Sequence, residues 1–380
     1  MGIRQLAKLI VDHAPRAYKE QDIRALFGRV IAIDASMCIY QFLVAVRTAD
    51  AANLTNESGE ITSHLSGVFY RTIKLLELGI KPIYVFDGKA PDLKANELAK
   101  RRSRREEDEQ AAAKAREEGD LELYAKYARR VNKVSAETID NVKRLLRLMG
   151  IPVVEAPSEA EAQCAVLTRA GLAYATASED MDALTFGTPL LIRNLFAALA
   201  SGAERKDRKP SEFSLAITLE DLGISMDQFI DICILCGCDY TCTIPKIGPY
   251  RALMLVKQHG CIEEVLASLR ESNHPIPDDF DYLGARGLFK EPHVKDAADI
   301  EPLLEWHAPN EEGLVQFLVQ ENSFNEQLVR KAVERMTKAL RSGVANQSRL
   351  DNFFKPKTLP KKHEPERPSS KRSTKRARKT

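Results

Sequence analysis

Twice near the start of the chain, a run of consecutive apolar residues stops at an aspartate. Val30-Ile-Ala-Ile ends in Asp34, and Pro82-Ile-Tyr-Val-Phe ends in Asp87. Unbroken apolar runs, without the alternation of a half-exposed strand, predict strands buried on both faces, as in a parallel sheet. A third run, Leu172–Ala177, leads into Ser178-Glu-Asp-Met-Asp182. In open α/β sheets, ligands gather beyond the carboxyl ends of the strands, and Asp34, Asp87 and Asp180 each follow such an end. The expected fold is therefore α/β, with a twisted, mostly parallel central sheet flanked by helices.

Further carboxylates follow. Ala156-Pro-Ser-Glu-Ala-Glu-Ala162 adds Glu159 and Glu161, Asp182 sits two residues after Asp180, and Asp239 follows the apolar helix expected over Met226–Leu235. Gathered acids repel one another unless cations sit among them, and hard oxygen ligands suit magnesium or manganese. Each acid also has a plain structural alternative. Asp34 can cap a helix, Ser158-x-x-Glu161 fits a capping box, and Asp180, Asp182 and Asp239 can be turn residues. Residues two apart do not share a helix face, so Glu159 and Glu161 are expected to meet a metal differently, one of them through water. The combination of three strand-end acids with four more favours a metal site over separate structural roles.

Residues 3–26 read as helix broken at Pro15, 48–63 as loop, and His64–Leu78 as helix. Over 92–133, Lys94, Lys100, Arg101, Arg102, Arg104 and Arg105 precede an acidic, alanine-rich run. This is either a solvated helical pair laced by i,i+4 contacts or an arch that holds a phosphate backbone. Residues 136–149 read as an amphipathic helix, 150–155 and 189–193 as strands, and 196–213 as irregular surface loop. Gly248, in the turn before a helix, offers backbone N–H groups suited to phosphate. Residues 261–340 show packing and no further chemistry.

The charge is unevenly spread. Residues 341–380 carry 13 Lys and Arg against 3 Asp and Glu, whereas the preceding 340 carry 43 against 51. Nucleic-acid binding by the body must then use local basic patches. The tail reads as disordered. It holds Gln347, Leu350, Phe353 and Phe354, apolar points without a core, which read as a docking peptide. Lys371–Lys379 reads as a nuclear localisation signal or nucleic-acid contact. Cys233, Cys236, Cys238 and Cys242 fit no common zinc spacing and read as reduced thiols. No run of 18 apolar residues exists, so no membrane span is expected.

Taken together, Met1-Gly-Ile, Ile33-Asp-Ala-Ser36, Tyr84-Val-Phe-Asp-Gly88, Leu98-Ala-Lys-Arg101, Ala156–Ala162, Glu179-Asp-Met-Asp182 and Gly237-Cys-Asp-Tyr240 are specific. With the tail peptide, they make the chain resemble the eukaryotic flap structure-specific endonucleases of the five-prime nuclease superfamily (the XPG/RAD family) over nearly its full length. The resemblance implies cleavage of 5′ flaps, with 5′–3′ exonuclease activity, in Okazaki fragment maturation and long-patch base excision repair. It implies two magnesium ions, replaceable by manganese, on Asp34, Asp87, Glu159, Glu161, Asp180, Asp182 and Asp239. Lys94 and Arg101 would reach the scissile phosphate as catalytic residues beside Asp182.

DNA contacts are implied for Tyr40, Arg47, Arg71, Glu159, Gly237, Asp239, Lys246 and Gly248. The implied organisation is an N-terminal nuclease region (1–108), a helical arch (92–133) and an internal nuclease region (123–260) with a helix-two-turn-helix element (240–260). A helical part (261–340) and a tail (341–380) with a clamp-binding peptide (346–354) complete it. The implied partners are branched DNA and PCNA, the homotrimeric replicative sliding clamp, for a nuclease that is itself a monomer of the nucleus (nucleolus and nucleoplasm) and also the mitochondrion. A potassium ion is expected at the 240–260 turn. There the chain departs from the family: Lys246 stands where glycine is usual and Tyr250 where a basic residue is.

A phosphatase of the strand-end-aspartate type would need Asp-x-Asp after the first strand, and Asp34-Ala35-Ser36 lacks it. A non-catalytic junction-binding adaptor would have no use for seven acids facing DNA phosphates. The remaining alternative is an excision-repair or exonuclease relative of the same superfamily.

Overall fold

The computed structural model describes residues 2–45, 62–128, 134–199 and 209–341. Arg47, the peptide residues Gln347, Leu350, Phe353 and Phe354, and the run Lys371–Lys379 lie outside these. The strands are β1 (Tyr18–Glu20), β2 (Val30–Asp34), β3 (Lys81–Phe86), β4 (Val153–Glu155), β5 (Ala175–Ala177), β6 (Leu190–Arg193) and β7 (Ser211–Ser214). They form one sheet in the order β1-β7-β6-β5-β2-β3-β4. The five strands from β6 to β4 are parallel, and β7 and β1 add an antiparallel edge. The α/β sheet expected from the sequence is thus present.

The apolar runs account for the centre. Every residue of β2 after Val30, and of β3 after Lys81, is buried. Their register sets Ile33 against Tyr84 and Asp34 against Val85, so Asp34 and Asp87 leave the sheet at the same edge. From β2 the chain moves outward through β3 and β4, then returns to pair β5 with the other side of β2. That reversal is the switch point at which such sheets bind ligands.

The helices are α1 (Leu6–His13), α2 (Ala35–Ala45), α3 (Ser63–Glu77), α4 (Ala95–Glu117), α5 (Leu121–Ala128), α6 (Ala136–Leu148), α7 (Ala160–Arg169), α8 (Asp182–Thr185), α9 (Leu215–Leu222), α10 (Met226–Cys236), α11 (Pro249–His259), α12 (Ile262–Glu271) and α13 (Tyr282–Lys290). The last long helix is Glu326–Arg341. One apolar cluster joins α1 to α9 through α13, and a second joins α2, α3, α6 and the last helix. The 23-residue α4 buries only Ala112 and Ala115. It has no apolar face to commit to the body, and it lies against α5. Among the described residues, no helix is long and apolar enough to cross a membrane.

Two expectations are corrected. The helical reading of 3–26 holds over Leu6–His13 and in single 3-10 turns at Pro15–Ala17 and Ile23–Leu26, but Tyr18–Glu20 are β1, paired with Phe213, Glu212 and Ser211. The irregular reading of 196–213 fails at its end, where β7 begins at Ser211. Each segment is too short to show a period of its own. The two become strands by pairing across almost two hundred residues, which no local pattern records.

A buried ionic knot ties α10, α12 and α13 together. Asp231, 3 % exposed, accepts from the Ile262 amide at 3.0 Å and from Arg286 Nε at 2.9 Å. Arg286 also grips Glu263 with both terminal nitrogens, at 2.6 and 3.1 Å. Burial raises the Asp231 pKa despite the opposing guanidinium.

Candidate metal and nucleic-acid site

The acids converge at the carboxyl edge of the sheet. Asp34 closes β2 and also caps α2, accepting from the Met37 amide at 3.1 Å and from Ser178 Oγ at 2.9 Å. The capping and site roles therefore coexist. Burial, then the nearby Asp87, raises its pKa to about 7. Asp87 follows β3 and accepts from the Ala160 amide at 2.8 Å. That contact brings the start of α7 onto the end of β3. Gly88 permits the approach: its amide donates to the Ser158 carbonyl at 2.7 Å, and a Cβ there would lie 2.3 Å from the Ala156 carbonyl oxygen.

The capping box over Ser158–Glu161 does not form. Glu159 is the N-cap residue, in extended conformation and without a side-chain cap bond; Asp87 satisfies the Ala160 N–H instead. Glu159 therefore stands just outside the helix and Glu161 in its first turn. With Glu159 outside the helix, the every-other-residue separation on a helix surface no longer applies. Oxygens of Asp87, Glu159 and Glu161 all lie within 4.8 Å of one another. Burial, followed by Asp34 and Asp87, pushes the Glu161 pKa well above the usual carboxylate range. Burial raises Glu159 as well.

Asp180 and Asp182 converge from the loop after β5. The Asp182 amide donates to Asp180 Oδ1 at 3.1 Å, and Asp182 Oδ1 accepts from the Ile3 amide at 2.8 Å. The N-terminal segment thus belongs to the site. Gly2, at φ 72°, lies so close that a Cβ would fall 1.5 Å from Asp180 Oδ1. Burial, then Asp180 and Asp239, raises Asp182 well above its ordinary range.

Two bases face this cluster from the foot of α4. Lys94 Nζ lies 2.7 Å from Glu159 and 3.8 Å from Asp239. Burial works against its ammonium, yet Glu159, Glu161 and Asp239 outweigh it and push its pKa up. Arg101 bonds Asp239 at 2.5 Å and Glu97 at 3.2 Å. A cleft of about 440 Å³ gathers Asp34, Tyr40, Asp87, Lys94, Arg101, Arg104, Arg105, Glu159, Glu161, Asp180 and Asp239. A second, of about 670 Å³, runs from Asp239, Arg101 and Arg104 along Gly2–Lys8. Asp182, held on Ile3, completes the seven acids.

The remaining candidates are spread. Gly237 ends α10 at φ 103°. Arg71 is not at the acids; its guanidinium covers the Phe42 ring at 4.3 Å. Lys246 takes φ 61°, the left-handed conformation that glycine adopts freely, so the turn keeps a glycine-like shape without the glycine. The carbonyls of Ile244, Pro245 and Lys246 each accept a protein hydrogen bond, from Ile247, His274 and Arg251. The seven cysteines are free thiols, and Cys233 and Cys236 are buried in α10.

Sequence reasoning missed Ser178 and the Gly2–Ile3 contact. A hydroxyl immediately after β5 was a usable signal for Ser178. Nothing local signals that an N-terminal amide reaches Asp182.

The donor set fits hard divalent cations: carboxylate oxygens alone, mutually repelling and open to a cleft, with Asp34, Glu159, Asp180 and Asp182 buried and Asp87 exposed. Residues 1–108 match the XPG N-terminal domain and residues 150–239 the XPG I-region. The chain is 53% identical over 354 residues to flap endonuclease 1 of Danio rerio, covering 93% of this chain and 90% of that protein. It is 53% identical over 356 residues to flap endonuclease 1-A of Sorghum bicolor, covering 94% and 91%. Among solved structures it is similar to flap endonuclease-1 from Methanococcus jannaschii (38% identity, TM-score 0.65, covering 86% and 96%). The fold is also that of the catalytic core of Rad2 in complex with DNA substrate (24% identity, TM-score 0.66, covering 88% and 100%).

Proposed function

The chain belongs to the XPG-type flap endonuclease family, and we propose that its seven gathered carboxylates hold two magnesium ions with which it hydrolyses the phosphodiester at the root of a 5′ flap. It is a structure-specific nuclease, a hydrolase of ester bonds in DNA. The observation that carries the metal reading is the packing of Asp87, Glu159 and Glu161 oxygens within 4.8 Å, with Asp34, Asp180, Asp182 and Asp239 around them. Carboxylates held this close, with the pKa of Asp34 raised to about 7 by burial and Asp87, strongly favour bound cations. Such ions, when bound, lower the pKa of water and neutralise charge on the phosphate; manganese has the same ligand preference.

The chain's own residues do the rest. Asp34, Asp87 and Asp180 hold their places through the Met37, Ala160 and Asp182 amides. Lys94 and Arg101, positioned on Glu159 and Asp239, present positive charge where a phosphate enters the cleft and where its transition state gains charge. Tyr40 lines that cleft and offers a ring for a base to stack on. Gly237, at the α10 end beside Asp239, packs so tightly that a Cβ would lie 2.6 Å from the Thr243 methyl. The bases of α4 guide a single strand past the acids. Contacts of this kind read backbone and shape, so base sequence has little influence.

The tail supports two further parts of the proposal. Gln347, Leu350, Phe353 and Phe354 suit a hydrophobic groove on the sliding clamp, and Lys371–Lys379 suits nuclear import. No potassium step is assigned to the turn at Ile244–Gly248.

The test is a labelled duplex carrying a 5′ flap, incubated with the full chain in magnesium and in EDTA. Cleavage at the flap root in magnesium and none in EDTA is expected; equal cleavage in both removes the metal assignment. In the same assay, deleting residues 347–354 leaves cleavage of bare DNA within about twofold and abolishes stimulation by the clamp. Stimulation that survives the deletion refutes the docking peptide.

A further inference from the structure

The acids divide about β2. Asp87, Glu159 and Glu161 come from the end of β3 and the start of α7, and their oxygens lie within 4.8 Å of one another. Asp180 and Asp182 come from the loop after β5, where the Asp182 amide donates to Asp180 Oδ1. Asp34 stands between the two groups, because β2 pairs with β3 on one side and with β5 on the other. Like charges this close push the groups apart, so their separation has to be set by something else.

Ser178, the first residue after β5, reaches across. Its hydroxyl donates to Asp34 Oδ2 at 2.9 Å and accepts from the Asp180 amide at 3.0 Å. A hydroxyl has one hydrogen to give, so with the Asp180 N–H as donor that hydrogen is aimed at Asp34. The Met37 amide holds the other Asp34 oxygen at 3.1 Å. Between them the two donors fix the rotation of the Asp34 carboxylate. Ser178 is 6 % exposed and lines neither of the two clefts at the acids, so it is out of reach of a substrate.

The segment that carries Ser178 is anchored independently of this hydroxyl. The Ser178 amide donates to the Ile192 carbonyl at 3.2 Å. The next residue, Glu179, accepts from the Asn194 amide at 2.7 Å and lies 3.5 Å from Arg193 Nε. These contacts fasten the loop to β6 and its end. The hydroxyl is what fastens it to β2. Removing the hydroxyl therefore leaves the loop in place and releases the tie between Asp34 and Asp180.

We propose that Ser178 is a positioning residue for one of the two cations: by tying Asp34 to the Asp180 amide it sets where Asp180 and Asp182 stand, and so tunes the cation that draws on them. This rests on the two-magnesium reading above. The group Asp87, Glu159 and Glu161 makes no bond to Ser178, and a cation held there is independent of it. Groups that orient a metal-binding side chain change metal affinity by about tenfold to a hundredfold when removed.

The experiment titrates manganese into the full chain without DNA by calorimetry, melts the same proteins in EDTA, and follows flap cleavage as magnesium is raised. The unsubstituted chain is expected to bind manganese in two steps. Ser178→Ala weakens one step about tenfold and leaves the other within about twofold. Its half-saturating magnesium for cleavage rises about tenfold, while kcat at saturating magnesium stays within about threefold. Ser178→Thr, which keeps the hydroxyl, restores both quantities. A serine that merely supported the fold would lower the melting midpoint without separating the two binding steps. Unchanged or equally weakened steps, a cleavage defect that excess magnesium does not repair, or a Thr variant as impaired as the Ala variant overturns the proposal. So does an Ala variant without a cooperative melt, since Ser178 would then hold the fold rather than the acids. An unsubstituted chain that binds manganese in fewer than two steps overturns the two-metal reading instead.

Discussion

Asp182→Asn lowers flap cleavage by at least about a thousandfold and, in EDTA, raises the thermal midpoint of the same protein. The two effects share one cause. Asp182 is 4 % exposed, and burial together with Asp180 and Asp239 raises its pKa. Its ionised form is therefore costly in the fold unless cations face it. Asparagine keeps an oxygen for the Ile3 amide and removes the charge. A carboxyl whose folded pKa lies above its unfolded value gives stability that is full below the unfolded pKa and lost as pH rises through the folded pKa. The stability advantage of the variant in EDTA should accordingly be small near pH 4 and grow toward pH 8, at up to about 1.4 kcal/mol for each unit of pKa shift. Saturating magnesium shrinks or reverses it, because the unsubstituted acid then has its counter-charge. Thermal melts of both proteins from pH 5 to 8, with EDTA and with magnesium, read this directly. A variant that melts lower in EDTA, or that cleaves normally, removes Asp182 from the metal set.

Asp231→Ala costs about 3 kcal/mol of folding stability, near the lower end for breaking a buried pair. The loss has two parts. The Ile262 amide at the start of α12 loses its acceptor, and Arg286 loses its buried partner while keeping Glu263, which is more exposed. Burial raises the Asp231 pKa even beside Arg286, so the knot is not a large net source of stability. Its value lies in fixing α10, α12 and α13 to one another, and α10 leads into Asp239 and the turn before α11. Urea unfolding of the magnesium-free proteins measures the difference; a loss below about 1 kcal/mol means that the three helices are held by their apolar contacts alone.

Much of the site was legible because its acids sit where local patterns announce themselves. Asp34 and Asp87 end apolar runs whose burial follows from composition, and Lys94 and Arg101 belong to a basic cluster that no apolar face could bury. The Glu159–Glu161 pair shows the limit. A capping box and a helix start one residue later are equally good local readings of Ser158-Glu-Ala-Glu. The choice was made by Asp87, more than seventy residues away, whose carboxylate takes the Ala160 amide and so leaves Glu159 outside the helix. The strand at Tyr18–Glu20 was hidden for the same reason, since its partner is β7.

The sequence by itself determined the buried parallel strands, the acids at their ends and the charged α4, because continuous apolar runs and helical spacing are properties of neighbours in the chain. The tertiary structure alone decided which acids lie together, that the N-terminal amide of Ile3 holds Asp182, and that the His13 and Tyr250 rings meet. Those are contacts between segments far apart in sequence, and their geometry is set by how the sheet and helices pack, which no single stretch encodes.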